Sequence, residues 1–237
     1  MSVLLLRVLG PMQSWGMQSQ FSERDTGLEP SKSGVIGLLC AALGKPRDER
    51  PSGSFPTLEQ LASLRMGVRV DRQGILCYDY HAAQNVREAS AKATDLTSRK
   101  GVRDSVSKRY YLSDAAFLVG FESENRDLLR LLDAKIRNPH WVLYLGRKAF
   151  VPSAPVYLKK GFQEEADLRT ALWTHPWLCL RSEIEPCPER LRVIIEDDGG
   201  DQVRPDQPIS FAPFDRRFAP RRVSIAHCPM PLCMLED

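Results

Sequence analysis

Val3-Leu4-Leu5-Leu6-Arg7-Val8-Leu9, running into Gly10-Pro11-Met12-Gln13-Ser14-Trp15-Gly16, is the stretch from which the fold reads. The apolar run has the pattern of a buried strand, and Gly-Pro stops it. The residues beyond combine an amide, an indole and a second glycine. That is the makeup of a loop whose backbone can approach a ligand closely. The same vocabulary returns further on, where Trp141-Val142-Leu143 reads as a strand running into Tyr144-Leu145-Gly146-Arg147-Lys148. A ring and cations beside a glycine suit a nucleobase and a phosphate better than they suit a small metabolite.

Outward from the first strand, residues 10–30 form a polar loop. Ser31-Lys32-Ser33 then supplies N-cap residues for a helix through Val35, Ile36, Leu38, Leu39, Ala42 and Leu43, with Gly44 as its stop. Residues 57–64 read as a short helix turning into a strand over 66–70. A turn at Asp71-Arg72-Gln73-Gly74 leads to a second strand over 75–80, giving a hairpin. Residues 82–107 carry few large apolar side chains and cannot bury a core of their own, so an inserted arm is expected, with strand pattern returning over 110–121. Leu128, Leu129, Leu131, Leu132 and Ile136 give the apolar stripe of a helix over 125–137 that Asn138-Pro139 ends. Without the insert, the order is strand, helix, hairpin, strand, helix, strand. The fold class expected is α+β, a ferredoxin-like (RRM-like) core with an inserted basic β-hairpin thumb at about 81–112. Past the Pro-rich joint at 150–155, a strand over 191–196, a turn at Asp197-Asp198-Gly199-Gly200 and a returning strand from Gln202 point to a small β-rich C-terminal domain. The expected division is therefore 1–150 and 151–237.

The bulk composition agrees with a folded chain. Of 237 residues, 43% are hydrophobic and 27% charged, so disorder of the whole is excluded. No apolar run approaches the roughly 20 residues that cross a bilayer, and no signal-peptide core is present. A cytoplasmic protein without a membrane partner is expected. None of the six cysteines forms a Cys-x-x-Cys pair, which fits free thiols in a reducing compartment. The net charge of +3 demands no polyanion by itself. Its distribution is more telling: residues 84–112 hold seven basic side chains (Arg87, Lys92, Arg99, Lys100, Arg103, Lys108, Arg109) against three acids, an excess larger than that of the whole chain.

His81, His140, His175 and His227 are scattered without ligand spacing, so no metal and no cofactor is expected. There is no Gly-x-x-x-x-Gly-Lys-[Ser/Thr] signature. Ser31-Lys32-Ser33-Gly34 at a helix start offers either a phosphate site or ordinary capping. Three functional readings stay open. RNA binding without cleavage uses the insert's cations on phosphates and rings such as Trp15, Tyr110, Tyr111 and Tyr144 on bases. A metal-independent endoribonuclease would use His81, Lys108 and Tyr110, which lie at the roots of the insert, as base, phosphate cation and acid. A protein-binding scaffold would use the basic arm to grip another chain.

Gly10-Pro11-Met12-Gln13-Ser14-Trp15-Gly16, Pro30-Ser31-Lys32-Ser33-Gly34 with Gly37-Leu38-Leu39, Tyr78-Asp79-Tyr80-His81, Arg109-Tyr110-Tyr111-Leu112 and Tyr144-Leu145-Gly146-Arg147-Lys148 occur in this order at spacings similar to those of the CasD family. That family provides the subunit of type I-E CRISPR Cascade complexes that caps the 5′ end of the guide RNA. The resemblance extends to about Pro155. It implies a non-catalytic, ribonucleoprotein role in antiviral defence, with the 5′ handle of the guide RNA and the large and backbone Cascade subunits as partners and target DNA met only indirectly. It also keeps the ribonuclease alternative open, because in type I-C systems the related subunit processes the precursor. Carried onto this chain, it implies that Gln13 and Trp15 line the handle site and that Ser31, Lys32 and Ser33 lie near a phosphate. Lys100, Arg103, Lys108, Arg109 and Tyr110 belong to the thumb and its return, and Tyr144, Arg147 and Lys148 form the second edge of an RNA groove.

Overall fold

A computed structural model describes residues 1–16, 22–48, 55–87, 102–178 and 188–231. In chain order the elements are β1 (Ser2–Leu9), the short strands β2 (Met12–Gln13) and β3 (Glu23–Arg24), helices α1 (Lys32–Leu43) and α2 (Leu58–Ala62), and β4 (Arg65–Arg72). The long pair β5 (Ile75–Arg87) and β6 (Val102–Ser113) follows, then β7 (Ala116–Ser123), α3 (Arg126–Arg137), β8 (Tyr157–Glu164) and α4 (Leu168–Thr174). The described chain closes with β9 (Arg190–Glu196), β10 (Gln202–Ser210) and β11 (Arg217–Pro229). The fold is mixed α/β and mostly sheet.

One seven-stranded sheet runs β10-β11-β9-β4-β7-β1-β8, with every pairing antiparallel. β1 lies between β7 and β8 and is covered on both faces. Leu4, Leu6 and Val8 join Phe117, Val119 and Phe121 beneath α1 and α3. Val3 and Leu5 join Leu118, Leu168 and Leu172 beneath α4 on the other side. Burial on two sides is why this strand shows a run of apolar residues instead of alternation. A glycine pair opposite one another, Gly67 and Gly120, lets α4 lie close to the sheet. A Cβ on either would come within 2.7 Å of Leu172 or 2.6 Å of Leu168. Arg69 then locks α4 from below. Its guanidinium is wholly buried, pairs with Asp71 at 2.6 and 2.8 Å, and donates to the carbonyls of Leu172, His175 and Pro176 at the helix's C-terminal end.

α1 ends as its sequence predicts, with Gly44 in the left-handed region at φ 74°. Its start differs. Ser31 occupies the N-cap position but its side chain makes no capping bond. The Lys32 amide instead donates to the Asp206 carboxylate at 2.7 Å, so the cap arrives from β10. α3 keeps the predicted bounds, with Asn125 accepting from the Leu128 amide at 3.0 Å.

Two expected elements are corrected. β4 and β5 form no hairpin. β4 pairs with β7 and β9, while β5 departs from the sheet and pairs with β6, from Ile75 opposite Ser113 to Arg87 opposite Val102. Residues 141–145 are not a strand. They belong to a loop held by backbone bonds from Leu145 to Phe150 and from Phe150 to Arg147, and the strand that follows α3 is β8. The expected boundary at 150/151 does not interrupt the sheet, because β8 pairs with β1 and β9 with β4. The inserted hairpin is present as β5 and β6, which form a second small sheet with β2 and β3. Its tip, with Lys92, Arg99 and Lys100, lies outside the described residues.

Candidate nucleic-acid interface

The two glycine loops singled out in the sequence meet. The Ser14 amide donates to the Leu145 carbonyl at 3.0 Å. Gly146 sits at φ 98°, and a Cβ there would land inside the Ser14 carbonyl. Only glycine fits this crossing. The α1 face next to the junction, the loop over 141–148 and the crest of the β10–β11 hairpin enclose a cleft of about 740 Å³. Trp15, Ser31, Ser33, Tyr144 and Lys148, all expected at an RNA site, line it. Lys45, Arg47 and Arg216 add three more cations, and Trp141, Phe211 and Phe218 add rings. No acidic side chain is among the described residues that line it. Gly37 lies on this wall with open space where a Cβ would be.

Other expected site residues are placed elsewhere. Lys32 is wholly buried. Its ammonium pairs with both Glu196 carboxylate oxygens at 2.8 Å, and burial, partly offset by that carboxylate, draws its pKa below the ordinary 10.5. The amide that was to hold a phosphate is already bound by Asp206, which also takes Arg221 at 2.7 Å. This corner is an internal ion network. Gln13 is buried too, donating to Ala115 at 2.7 Å and accepting from the Trp15 indole at 3.1 Å. Trp15 keeps only 2% of its surface and packs against Gly34, so it supplies the cleft's floor and offers no free stacking face.

The roots of the hairpin divide the remaining residues between two faces. Register places Tyr78 opposite Tyr110 and Tyr80 opposite Lys108, while Asp79 faces Arg109 and His81 faces Ser107. Because side chains alternate along a strand, Tyr78, Tyr80, Lys108 and Tyr110 share one face and Asp79, His81 and Arg109 the other. The Tyr78 and Tyr110 rings stand 5.9 Å apart, and His81 Nδ1 lies 4.0 Å from Asp79. The trio His81, Lys108 and Tyr110 therefore does not converge. Arg147 belongs with the second face. It donates to the carbonyls of Tyr110 at 2.8 Å and Arg109 at 3.4 Å and lies over the Phe150 ring. Burial, then the Arg109 charge, pulls its pKa below the ordinary guanidinium range. Arg147 lashes the loop to β6, whereas its neighbour Lys148 opens into the cleft. Arg103 is exposed on β6 opposite Val86.

The cleft's outer wall escaped sequence reading. In the sequence Arg216, Arg217, Arg221 and Arg222 are four like charges with nothing to tell them apart. The structure sends Arg216 to the cleft, Arg221 to Asp206 and Arg222 to the Gly200 carbonyl. The usable signal was the pair Phe211 and Phe218 flanking a Pro-containing turn.

A family model described as CRISPR-associated protein (Cas_Cas5) matches residues 3–224. The CRISPR system Cascade subunit CasD of Escherichia coli (strain K12) is 32% identical over 181 residues, 72% of this chain and 75% of that protein. A solved structure described as a crystal structure of a Cas protein aligns over 97% of both chains with 41% identity and a TM-score of 0.72. A chain of a CRISPR RNA-guided surveillance complex aligns over 97% of this chain and 91% of that one, with 31% identity and a TM-score of 0.74.

Proposed function

Because this chain belongs to the Cas5 family of CRISPR-associated proteins, we propose that it holds single-stranded guide RNA at its 5′ handle as a non-catalytic subunit of a type I-E Cascade-like surveillance complex. The observation that carries this reading is the cleft: four cations, several rings and no acid among its described lining residues. Cations bind phosphates with a strong electrostatic component, and rings at the rim accept bases whatever their identity. The complex in which a structural relative was solved is RNA-guided, and the E. coli relative is a Cascade subunit, which supports large and backbone subunits as further partners.

The core is ferredoxin-like on this reading. Support comes from the order β4-β7-β1-β8, with α1 and α3 on one face, which is the arrangement two split β-α-β units produce. The β5–β6 hairpin is then the thumb, and β9 to β11 are an extension of the same sheet. The role is binding without cleavage. Support comes from the separation of His81 from Lys108 and Tyr110 across the hairpin, which leaves no shared point for base, acid and cation. A protein that works on guide RNA acts in the cytoplasm, and among the described residues no helix is long and apolar enough to cross a membrane.

Anisotropy titration of the purified chain with a labelled repeat-derived RNA in EDTA tests this. Saturable, salt-sensitive binding with intact RNA on a denaturing gel is expected, weakened by Lys148→Ala combined with Arg216→Ala. Unchanged affinity in that double variant overturns the site. Cleavage products that disappear in His81→Ala overturn the non-catalytic role.

A further inference from the structure

The crest of the β10–β11 hairpin carries a side chain that the cleft does not account for. Phe214 is fully exposed, at 104% of its reference surface. A single exposed apolar residue is ordinary on a protein surface. This one sits on a built support. The Asp215 amide donates to the Ala212 carbonyl at 3.1 Å, which makes residues 212–215 a turn. Pro213 holds the second position, where its ring presets φ, and Phe214 holds the third. Below the turn, Phe211 and Phe218 pack edge to face with centroids 6.5 Å apart, and Asp215 pairs with Arg217 at 3.0 Å. The ring is thus displayed on a short, cross-braced crest, and little freedom remains to be lost when something stacks on it.

What it meets follows from continuity and charge. Phe211, Arg216 and Phe218, on either side of the crest, already line the cleft. Phe214 stands on the turn of the same hairpin, two residues before Arg216 at the cleft and three before Arg217. We propose that Phe214 is a base-stacking residue, clamping one nucleobase of a single strand at the point where the strand leaves the cleft over the β10–β11 lip. The proposal rests on the RNA-binding reading above and adds a contact to it. Cations beside a free ring suit a nucleotide, whose phosphate and base are reached together, and they give no purchase to an apolar protein pocket.

The test uses the full chain and a short labelled single-stranded RNA. Phe214→Ala weakens binding about 5- to 100-fold, the range that loss of one base–aromatic stack produces. The dependence on salt is unchanged, since no charge is removed, and Phe214→Tyr restores affinity. With probes carrying an abasic site at successive positions, one position abolishes the difference between wild type and Phe214→Ala. Both variants melt at the wild-type temperature, because the ring touches no core. If Lys148→Ala weakens binding while Phe214→Ala does not, the stacking role is wrong and the RNA reading stands. If wild type fails to bind RNA, both fall. If Phe214→Ala spares RNA binding but releases a co-purifying protein, the crest is a protein contact and the proposal is overturned.

Discussion

At the scale of single residues, adjacent positions do different work. Arg147 and Lys148 read identically in the sequence as a pair of cations after a glycine. Arg147 is bound to two carbonyls of β6, and Lys148 faces the cleft. Lys148→Ala is therefore expected to lower RNA affinity and reduce its salt slope while leaving the melting temperature alone. Arg147→Ala unties the loop from β6, taking a donor from the Arg109 carbonyl and leaving the Tyr110 carbonyl with the Ser14 hydroxyl alone, at a cost of about 1–3 kcal/mol, and its effect on binding carries no such salt signature. Urea unfolding beside an RNA titration at several salt concentrations separates the two. Gly146→Ala is expected to be the most damaging small substitution. It must hold a left-handed φ and place a methyl where the Ser14 carbonyl sits, for a loss of at least about 2 kcal/mol by denaturant unfolding. The glycine's importance was legible in the sequence. The fates of Lys32, Gln13 and Trp15 were not. A lysine at a helix start looks exposed until a carboxylate 164 residues away is known to cover it. Gln13 and Trp15 satisfy each other, which removes both from the surface.

At the scale of elements, α1 depends on one remote carboxylate at its N-terminus, and α4 on the local Asp167 beside the remote Glu122, which takes the Leu168 amide at 2.8 Å. Asp206 is nearly sealed from solvent and serves the α1 amide and the Arg221 guanidinium at once. Asp206→Ala removes the α1 cap and leaves Arg221 with Glu196 alone, at 3.7 Å, and is expected to cost about 2–4 kcal/mol, whereas Asp206→Asn keeps an acceptor for α1 and costs less. Thermal or urea unfolding of both variants checks the order. In α4, Asp167 caps its own helix. Hydrogen bonds from the Thr170 hydroxyl and amide hold its pKa below the ordinary 3.8. A depressed carboxylate lends stability that is complete above its unfolded pKa and is lost as pH falls through the folded one. Asp167→Asn, itself a good cap, should match wild type near neutrality and show a shallower decline below about pH 4 in melting curves across an acid series. Elements whose apolar pattern is their own were legible: β1, α3, β9 and the turn after it. The short run Trp141-Val142-Leu143 was misread because three apolar residues do not distinguish a strand from a pinned loop. A Gly-containing turn between two strands normally makes a hairpin, yet β4 and β5 do not pair with each other. Here the chain turns at Gly74 and crosses into another sheet.

At the scale of the whole molecule, the small net charge hides a polarised surface. Four cations line the cleft without a described acid among them, while the acids Glu29, Glu196 and Asp206 are spent on internal pairs with Arg192, Arg204, Lys32 and Arg221. If each of the three exposed cleft cations, Arg47, Lys148 and Arg216, meets one phosphate, the logarithm of RNA affinity should fall against the logarithm of salt with a slope of about −2, each substitution to alanine removing about 0.7. A slope near zero in wild type would show that the cleft does not meet phosphates. The seven-stranded sheet was half visible beforehand: its central strands could be read from pattern, but the joining of β9 to β4 could not, because strand pairing across such a distance leaves no local mark. That joining carries a consequence for how the protein comes into being. A chain made from its N-terminus has already written α1, and the cleft wall it forms, long before the carboxylate at position 206 that closes the helix's first turn has been added. Competence for the ligand is thus acquired only once the β10–β11 hairpin has been made, and any product halted short of that hairpin would be born with an open, unfinished groove.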